Sequence, residues 1–385
     1  MSPENLSHRH PIVLVAGGTG GHVFPAEALA GSLREKGYTL ALFTDRRGEF
    51  WSGALGSVDT HAIRAGRVSG VSFLGRLKGM AELALGSLQS RKLLARLQPS
   101  VVVGFGGYTS VPAMMAATSL SVPTVIHEQN ALLGRANRLL APRVAAIATS
   151  FANVARLREQ DTPKVVFTGN PVREAVRKLR DTVYTEPRRS EDVHILVTGG
   201  SQGASVFARV VPEALARLPE DLRGRLRIAQ QARPEDLDAV RATYVEAELT
   251  ADVAPFFEDL ADRLGRAHIV ICRAGASTCA ELTCAGRPAI LVPYPSAADD
   301  HQTANARAVG NANGAELVPE PVFTPETLAA RLKLLIEQPG RLTAMARASH
   351  SAGHKDAAAN LAILVANLVP VHLRGGSPND GRAAA

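Results

Sequence analysis

The stretch that decides the fold is "PIVLVAGGTGGHVFPAEALA", Pro11 to Ala30. An apolar run stops abruptly at four glycines and one histidine, and a helix-like pattern follows. A short continuous apolar run bounded by glycine reads as a strand buried on both faces, as in a parallel sheet. Glycines between that strand and the next helix leave backbone N–H groups bare. The helix N-terminus adds roughly half a positive charge beside them. The turn can therefore seat an anion, or it can be a tight turn with no ligand. His22 follows it, with an unperturbed pKa suited to taking a proton near neutral pH or to hydrogen-bonding a phosphate.

The same layout runs on through the chain. "YTLALFTD", "SVVVGFGG", "PTVIHEQN", "AAIATSF" and "KVVFTGNPV" are strand-like and alternate with helical patterns, the mark of βαβ units. After the charged, proline-containing "DTVYTEPRRSED", the stretch "VHILVTGGSQGASVFARVVPEALARL" restarts the opening's layout of strand, glycine turn and helix. "LRIAQQ", "ADVAPFF", "AHIVICRAG" and "PAILVPYP" supply the later strands. The expectation is an α/β chain of two Rossmann-like domains whose parallel sheets face a central cleft. The expected divisions are residues 1–172, a linker over 173–192, a second domain over 193–370 and a disordered tail over 371–385.

Three glycine turns fit anion binding: Gly17 to His22, Gly199 to Ser205, and "RAGASTCAEL". In the third, Ser277 and Thr278 can cap a helix running through Glu281. A dinucleotide fingerprint starting at Gly18 fails, because Val23 stands where its third glycine belongs, and no P-loop lysine follows. An NAD-linked oxidoreductase then has only Asp45, at the end of the second strand, in its favour.

Composition narrows the partners. The 385 residues are 46% hydrophobic and 21% charged, which suits two globular domains. A net charge of +7 suits a nucleotide, an anionic lipid or nucleic acid. With only 4% aromatic residues, and none interleaved with basic runs, nucleic acid is the weakest of the three. No apolar stretch approaches the roughly 18 residues that span a bilayer, and the N-terminus lacks a signal-peptide layout. Cys272, Cys279 and Cys284 match no zinc spacing and read as buried small side chains. The expectation is a cytosolic chain without disulfides.

Further candidates come from side chains at strand ends. "HEQN" offers His127, Glu128 and Asn130, and Glu128 competes with His22 for the role of base. Arg173 can fork onto phosphate oxygens, and Glu281, one turn into its helix, can accept two hydrogen bonds from a ribose diol. Asp299 and Asp300 invite a metal but read better as the opening of a helix that brings Gln302 and Asn305 to a sugar. No metal and no cofactor are assigned. Between Ile63 and Leu97, Phe73, Leu77, Met80, Ala84 and Leu88 recur at helical spacing beside Arg64, Arg67, Arg76 and Lys78. That pattern suits either an anionic membrane surface or a core-facing helix with solvated charges.

Taken in order, "GGTGGHVFPAEALA", "GFGGYTSVPA", "HEQNALLGRANRLLA", "TGNPVR", "GGSQGA", "CRAGASTCAEL", "GRPAILVPYP" and "DDHQTANA" closely resemble the peptidoglycan glycosyltransferases that add N-acetylglucosamine to lipid I. The match runs from about residue 12 to 310. The resemblance implies a GT-B fold and an inverting transfer from UDP-N-acetylglucosamine (UDP-GlcNAc) to the lipid I MurNAc. It further implies a peripheral enzyme on the cytoplasmic face of an anionic membrane, with no nucleic acid partner. Carried over by position, Thr19, Gly20, Gly21, Asn130 and Arg173 face the donor, and Ser201 contacts its diphosphate. Phe257 stands where the family's backbone reads the uracil. Ala276, Ser277, Thr278, Cys279, Ala280 and Glu281 cover phosphate and ribose, and Gln302 bonds the GlcNAc hydroxyls. His22 is the expected base and Glu128 the alternative. Ala274, Ser277 and "YPSAADDH" depart from commoner versions of the pattern. A UDP-GlcNAc 2-epimerase on the same two-domain plan and a non-catalytic nucleotide-sugar-binding or membrane scaffold protein are the remaining rivals.

Overall fold

The computed structural model describes residues 10–17, 20–45, 53–66, 73–200 and 204–373. The opening apolar run is Ile12–Val15 (β1), buried on both faces: Ile12 and Leu14 enter one apolar layer, Val13 and Val15 the other. There follow α1 (Gly20–Glu35), β2 (Leu40–Thr44), β3 (Asp59–Ala62), α2 (Phe73–Leu97), β4 (Val101–Gly104) and α3 (Gly107–Ser119). The half ends with β5 (Thr124–Glu128), α4 (Arg135–Leu140), β6 (Ala146–Thr149) and β7 (Val165–Phe167). Among the described residues these strands form one parallel seven-stranded sheet, ordered β3-β2-β1-β4-β5-β6-β7.

The second half contains α5 (Glu174–Lys178), β8 (Val193–Thr198), α6 (Ser205–Ala216), α7 (Glu220–Arg223), β9 (Leu226–Gln231), α8 (Leu237–Glu246), β10 (Thr250–Ala254) and α9 (Leu260–Arg266). It continues with β11 (Ile269–Cys272), α10 (Ala276–Ala285), β12 (Ala289–Leu291), α11 (His301–Asn311), β13 (Ala315–Leu317), α12 (Pro325–Glu337) and α13 (Pro339–Ala352). Its parallel sheet has six strands among the described residues, ordered β10-β9-β8-β11-β12-β13. Its core lies between β8, β9, α6 and α12.

Both sheets are doubly wound, and each reverses strand order once: between β1 and β4, and between β8 and β11. Ligands of open α/β sheets bind outside the carboxyl ends of the strands at such a switch point. The glycine turns follow β1, β4, β8 and β11. Chain order alone therefore puts them at the two switch points.

The chain divides into two units, one reaching Pro171 and resuming at Asp356, the other Val172–Lys355. This corrects two expected divisions. The stretch 173–192 is not a free linker, because α5 buries Val176 completely and the Tyr184 hydroxyl donates to His268 O at 3.2 Å. Nor do residues up to 370 belong to the second domain. The last helix, α14 (Ala357–Leu368), inserts Leu361, Ala362 and Val365 among Val23, Ala26, Leu29 and Leu33 of α1, in the first unit's core. The expected tail begins later too, since Val371–Leu373 forms a 3-10 turn; residues 374–385 lie outside the described residues.

Candidate functional site

In the first unit the glycine turn has two uses. Gly17 is a packing glycine: a Cβ there would lie 2.9 Å from Thr109 Oγ1 on α3, and Thr109 is buried. Gly20 and Gly21 open α1, while Gly18 and Thr19 lie outside the described residues. The second turn, at Gly106 and Gly107, has φ of 87° and 72°, a left-handed backbone that favours glycine. A Cβ on either would sit 3.7 Å from His22 Nε2. His22, in the first turn of α1, thus lays its ring over the N-terminus of α3.

The His22 ring is half-buried, and its Nδ1 is closed to solvent without a partner among the described residues. Burial lowers its pKa to about 4, so the imidazole is neutral at physiological pH. His127 is also lowered to about 4 by burial, but its ring is spoken for. Gln129 Nε2 donates to its Nδ1 at 3.1 Å, which leaves Nε2–H to face Gly169 O at 3.3 Å. His22 is the histidine with chemistry to spare.

Glu128 is 1% exposed and accepts four hydrogen bonds. Asn130 N (3.0 Å) and Asn130 Nδ2 (3.1 Å) reach Oε1; Gly134 N (2.8 Å) and Asn137 Nδ2 (2.8 Å) reach Oε2. Burial pushes its carboxyl pKa up against these donors, which pull it down. Gly134 precedes α4 directly, so Glu128 ties the loop after β5 to the start of that helix. Asn137, 2% exposed, was not singled out from sequence. Its signal in the sequence is one amide within "ANRLLA".

In the second unit, α10 starts at Ala276 after Gly275, with no side-chain cap. Ser277 and Thr278 do not cap it, contrary to expectation; they lie inside the first turn, and Gly275 holds the cap position. Ser277 Oγ is closed off without a partner among the described residues. The first-turn N–H groups, beyond the reach of any intrahelical carbonyl, remain to meet an anion. Ala276 and Cys279 are buried, so only their backbone can serve a ligand. Ala280 and Glu281 are half-buried. Arg173 Nε donates to Glu281 Oε1 at 2.9 Å, which brings the proposed phosphate and ribose groups together.

Gln302 Oε1 accepts from Ala274 N (3.2 Å) and Tyr294 N (2.9 Å), so its Nε2 is the end left for a ligand. Asn305 Nδ2 donates to Ala274 O at 3.0 Å. Phe257 is buried beneath the Arg263 guanidinium, 4.0 Å from its ring centre, and offers a ligand only backbone. Ser201 lies outside the described residues. Asp299 and Asp300 adopt left-handed φ of 55° and 57° before α11. Among the described residues no group of three His, Cys, Asp or Glu could hold a metal ion. The three cysteines are free and buried, and burial raises Cys279 to about 12 and Cys284 to about 11.

The helix α2 presents an apolar stripe outward. Leu77, Met80, Leu85 and Leu88 are 49%, 56%, 47% and 60% exposed, with Lys78 and Lys92 exposed beside them. Arg67 and the side chains of Phe73 and Arg76 lie outside the described residues. Among the described residues no helix is long and apolar enough to cross a membrane.

The glycosyltransferase family 28 N-terminal domain matches residues 12–149, and the family 28 C-terminal domain matches residues 194–361. A UDP-N-acetylglucosamine–N-acetylmuramyl-(pentapeptide) pyrophosphoryl-undecaprenol N-acetylglucosamine transferase of Rhodospirillum centenum is 56% identical over 352 residues, 91% of this chain and 93% of its own. The crystal structure of Acinetobacter baumannii MurG superposes with a TM-score of 0.74 at 29% identity, covering 93% of this chain and 99% of its own. The UDP-GlcNAc 2-epimerase from Neisseria meningitidis gives 0.64 at 14% identity, over 91% and 99%. That last likeness is one of fold alone.

Proposed function

Since the chain belongs to glycosyltransferase family 28, we propose that it transfers GlcNAc from UDP-GlcNAc to the C4 hydroxyl of MurNAc in lipid I. UDP leaves, the anomeric configuration inverts, and the β1,4-linked product is lipid II of peptidoglycan synthesis. The observation that carries this is the near full-length identity to transferases named for that acceptor. The epimerase shares the fold without comparable identity.

The site geometry supports a division of labour. In the second unit, Glu281 takes the ribose diol, the α10 first turn and Arg173 take the diphosphate, and Gln302 Nε2 takes the sugar. Ser201 and Thr19 keep their proposed places on the donor, as do Gly20, Gly21, Asn130 and the backbone at Phe257. Negative charge grows on the diphosphate as the sugar–phosphate bond breaks, and preorganised N–H groups stabilise it without reorganising. In the first unit, the N-terminus of α3 suits the acceptor's diphosphate. Neutral His22, carrying its proton on Nδ1, takes the hydroxyl proton on Nε2 as the new bond forms. Glu128 acts as framework for that half, since both its oxygens are engaged.

Labelled UDP-GlcNAc incubated with a lipid I analogue tests this. UDP release and a labelled disaccharide-lipid that both require the acceptor are expected. Turnover of UDP-GlcNAc without acceptor would favour the epimerase, and binding without turnover the non-catalytic reading.

The α2 stripe supports attachment to an anionic membrane on the cytoplasmic face. These leucines are about half exposed, so each gains about 1 kcal/mol on full burial, and each lysine near an anionic surface about 1 kcal/mol. Changing Leu77, Met80 and Leu88 together to glutamate should cut flotation with anionic vesicles at least about tenfold. The detergent-solubilised rate should hold. Unchanged flotation would remove α2 as the docking surface.

A further inference from the structure

Arg273 stands between β11 and the Ala274–Gly275 step into α10, and it is 9% exposed. Its Nη1 donates to Val292 O (3.2 Å) and Pro293 O (3.1 Å) and lies 2.6 Å from Glu320 Oε2. Its guanidinium carbon is 5.3 Å from the ring centres of both Phe207 and Tyr294. These partners belong to three segments at the carboxyl edge of one sheet, and Arg273 to a fourth. Phe207 is on α6 after the glycine turn, Val292 to Tyr294 follow β12, Glu320 follows β13, and Arg273 itself follows β11.

A guanidinium taken out of water needs its charge paired, and Glu320 pairs it while the Val292 and Pro293 carbonyls hold Nη1. What it fixes is specific. Gln302 Oε1 is held by the N–H groups of Ala274, next in chain to Arg273, and of Tyr294, whose ring Arg273 faces. The direction of Gln302 Nε2 therefore follows from where Arg273 holds these two backbones. The helix α10 has an independent anchor at its far end. Arg180 Nη1 donates to Thr283 O at 3.3 Å there, and Cys284 is buried beside Val176 of α5.

We propose that Arg273 and Glu320 are positioning residues for the sugar half of the donor site, setting GlcNAc affinity through Gln302 while the nucleotide half stays intact. The proposal rests on the donor assignment above and adds two residues to it. Glu320 supplies the counter-charge that keeps the guanidinium on the Val292 and Pro293 carbonyls. Without it the buried cation turns toward water and releases the β12–α11 loop.

Isothermal titration of UDP and of UDP-GlcNAc into the full chain tests this, with Glu320→Gln and Arg273→Lys beside wild type. Each variant should weaken UDP-GlcNAc about tenfold while UDP stays within about twofold, the pattern of a lost pairing local to the sugar. KM for UDP-GlcNAc should rise more than kcat falls. Parallel weakening of both ligands would make the pair a general structural element and overturn the proposal, as would no change in either. Should Arg273→Lys fail to fold, the near-isosteric Glu320→Gln decides alone. Wild type that binds neither ligand would instead refute the donor assignment, whereas wild-type binding with unaltered variants refutes only the positioning role.

Discussion

His22→Ala should lower kcat for acceptor-dependent UDP release by at least about a hundredfold, the scale of a lost general base. KM for UDP-GlcNAc should hardly move, because the donor-binding groups assigned on α10 and α11 are untouched. The burial that lowers the imidazole to about 4 also keeps it in the proton-accepting form throughout the physiological range. The acid limb of the wild-type rate profile should therefore fall well below the ordinary histidine value of 6.5. Stability follows the same protons. A histidine whose pKa is depressed by folding contributes stability that is present above about 6.5 and lost as pH falls toward about 4. His22 and His127 both do so, and His22→Ala removes one share. Its melting temperature should decline less steeply than wild type's between pH 6.5 and 4. A near-normal rate would sink the assignment of the base.

How far such a site can be read from sequence depends on which interactions are local. The strand β1 and its glycine turn are local: four apolar residues buried on both sides, then a helix start. The strand β3 is not, since Asp59–Ala62 lies at a sheet edge, is largely exposed and shows no apolar pattern. The helix α14 has a legible apolar face, but periodicity cannot say which core receives it, and it returns to α1 from the far end of the chain. Gly17 shows the same limit. A glycine in an anion-like turn reads as a phosphate seat, yet its close neighbour is Thr109, far along the chain on α3. For Gln302, sequence offers an amide for the proposed sugar contact. It could not show that the carbonyl end is consumed by two backbone N–H groups. Candidate identities were legible; which atom of each is free required the tertiary contacts.

Glu128→Gln should separate framework from chemistry. A glutamine oxygen can accept two of the four donors that meet the carboxylate, and its amide nitrogen then faces the other two. Each orphaned buried donor costs about 1–3 kcal/mol, so with two of them the first unit should lose about 2–6 kcal/mol, read as a lower urea midpoint. The rate should fall along with it, because the same bonds hold the β5–α4 loop that carries Asn130. A carboxylate acting as the base would behave otherwise: kcat would collapse while the urea midpoint stayed put. Asn137→Ala gives the second arm. Asn137 Nδ2 donates to Glu128 Oε2 at 2.8 Å and to His127 O at 3.2 Å, so the two substitutions break one network. Their combined loss should be smaller than the sum of the single losses, as for residues in direct contact. Strict additivity, or an unchanged midpoint with a lost rate, would return Glu128 to contention as the base.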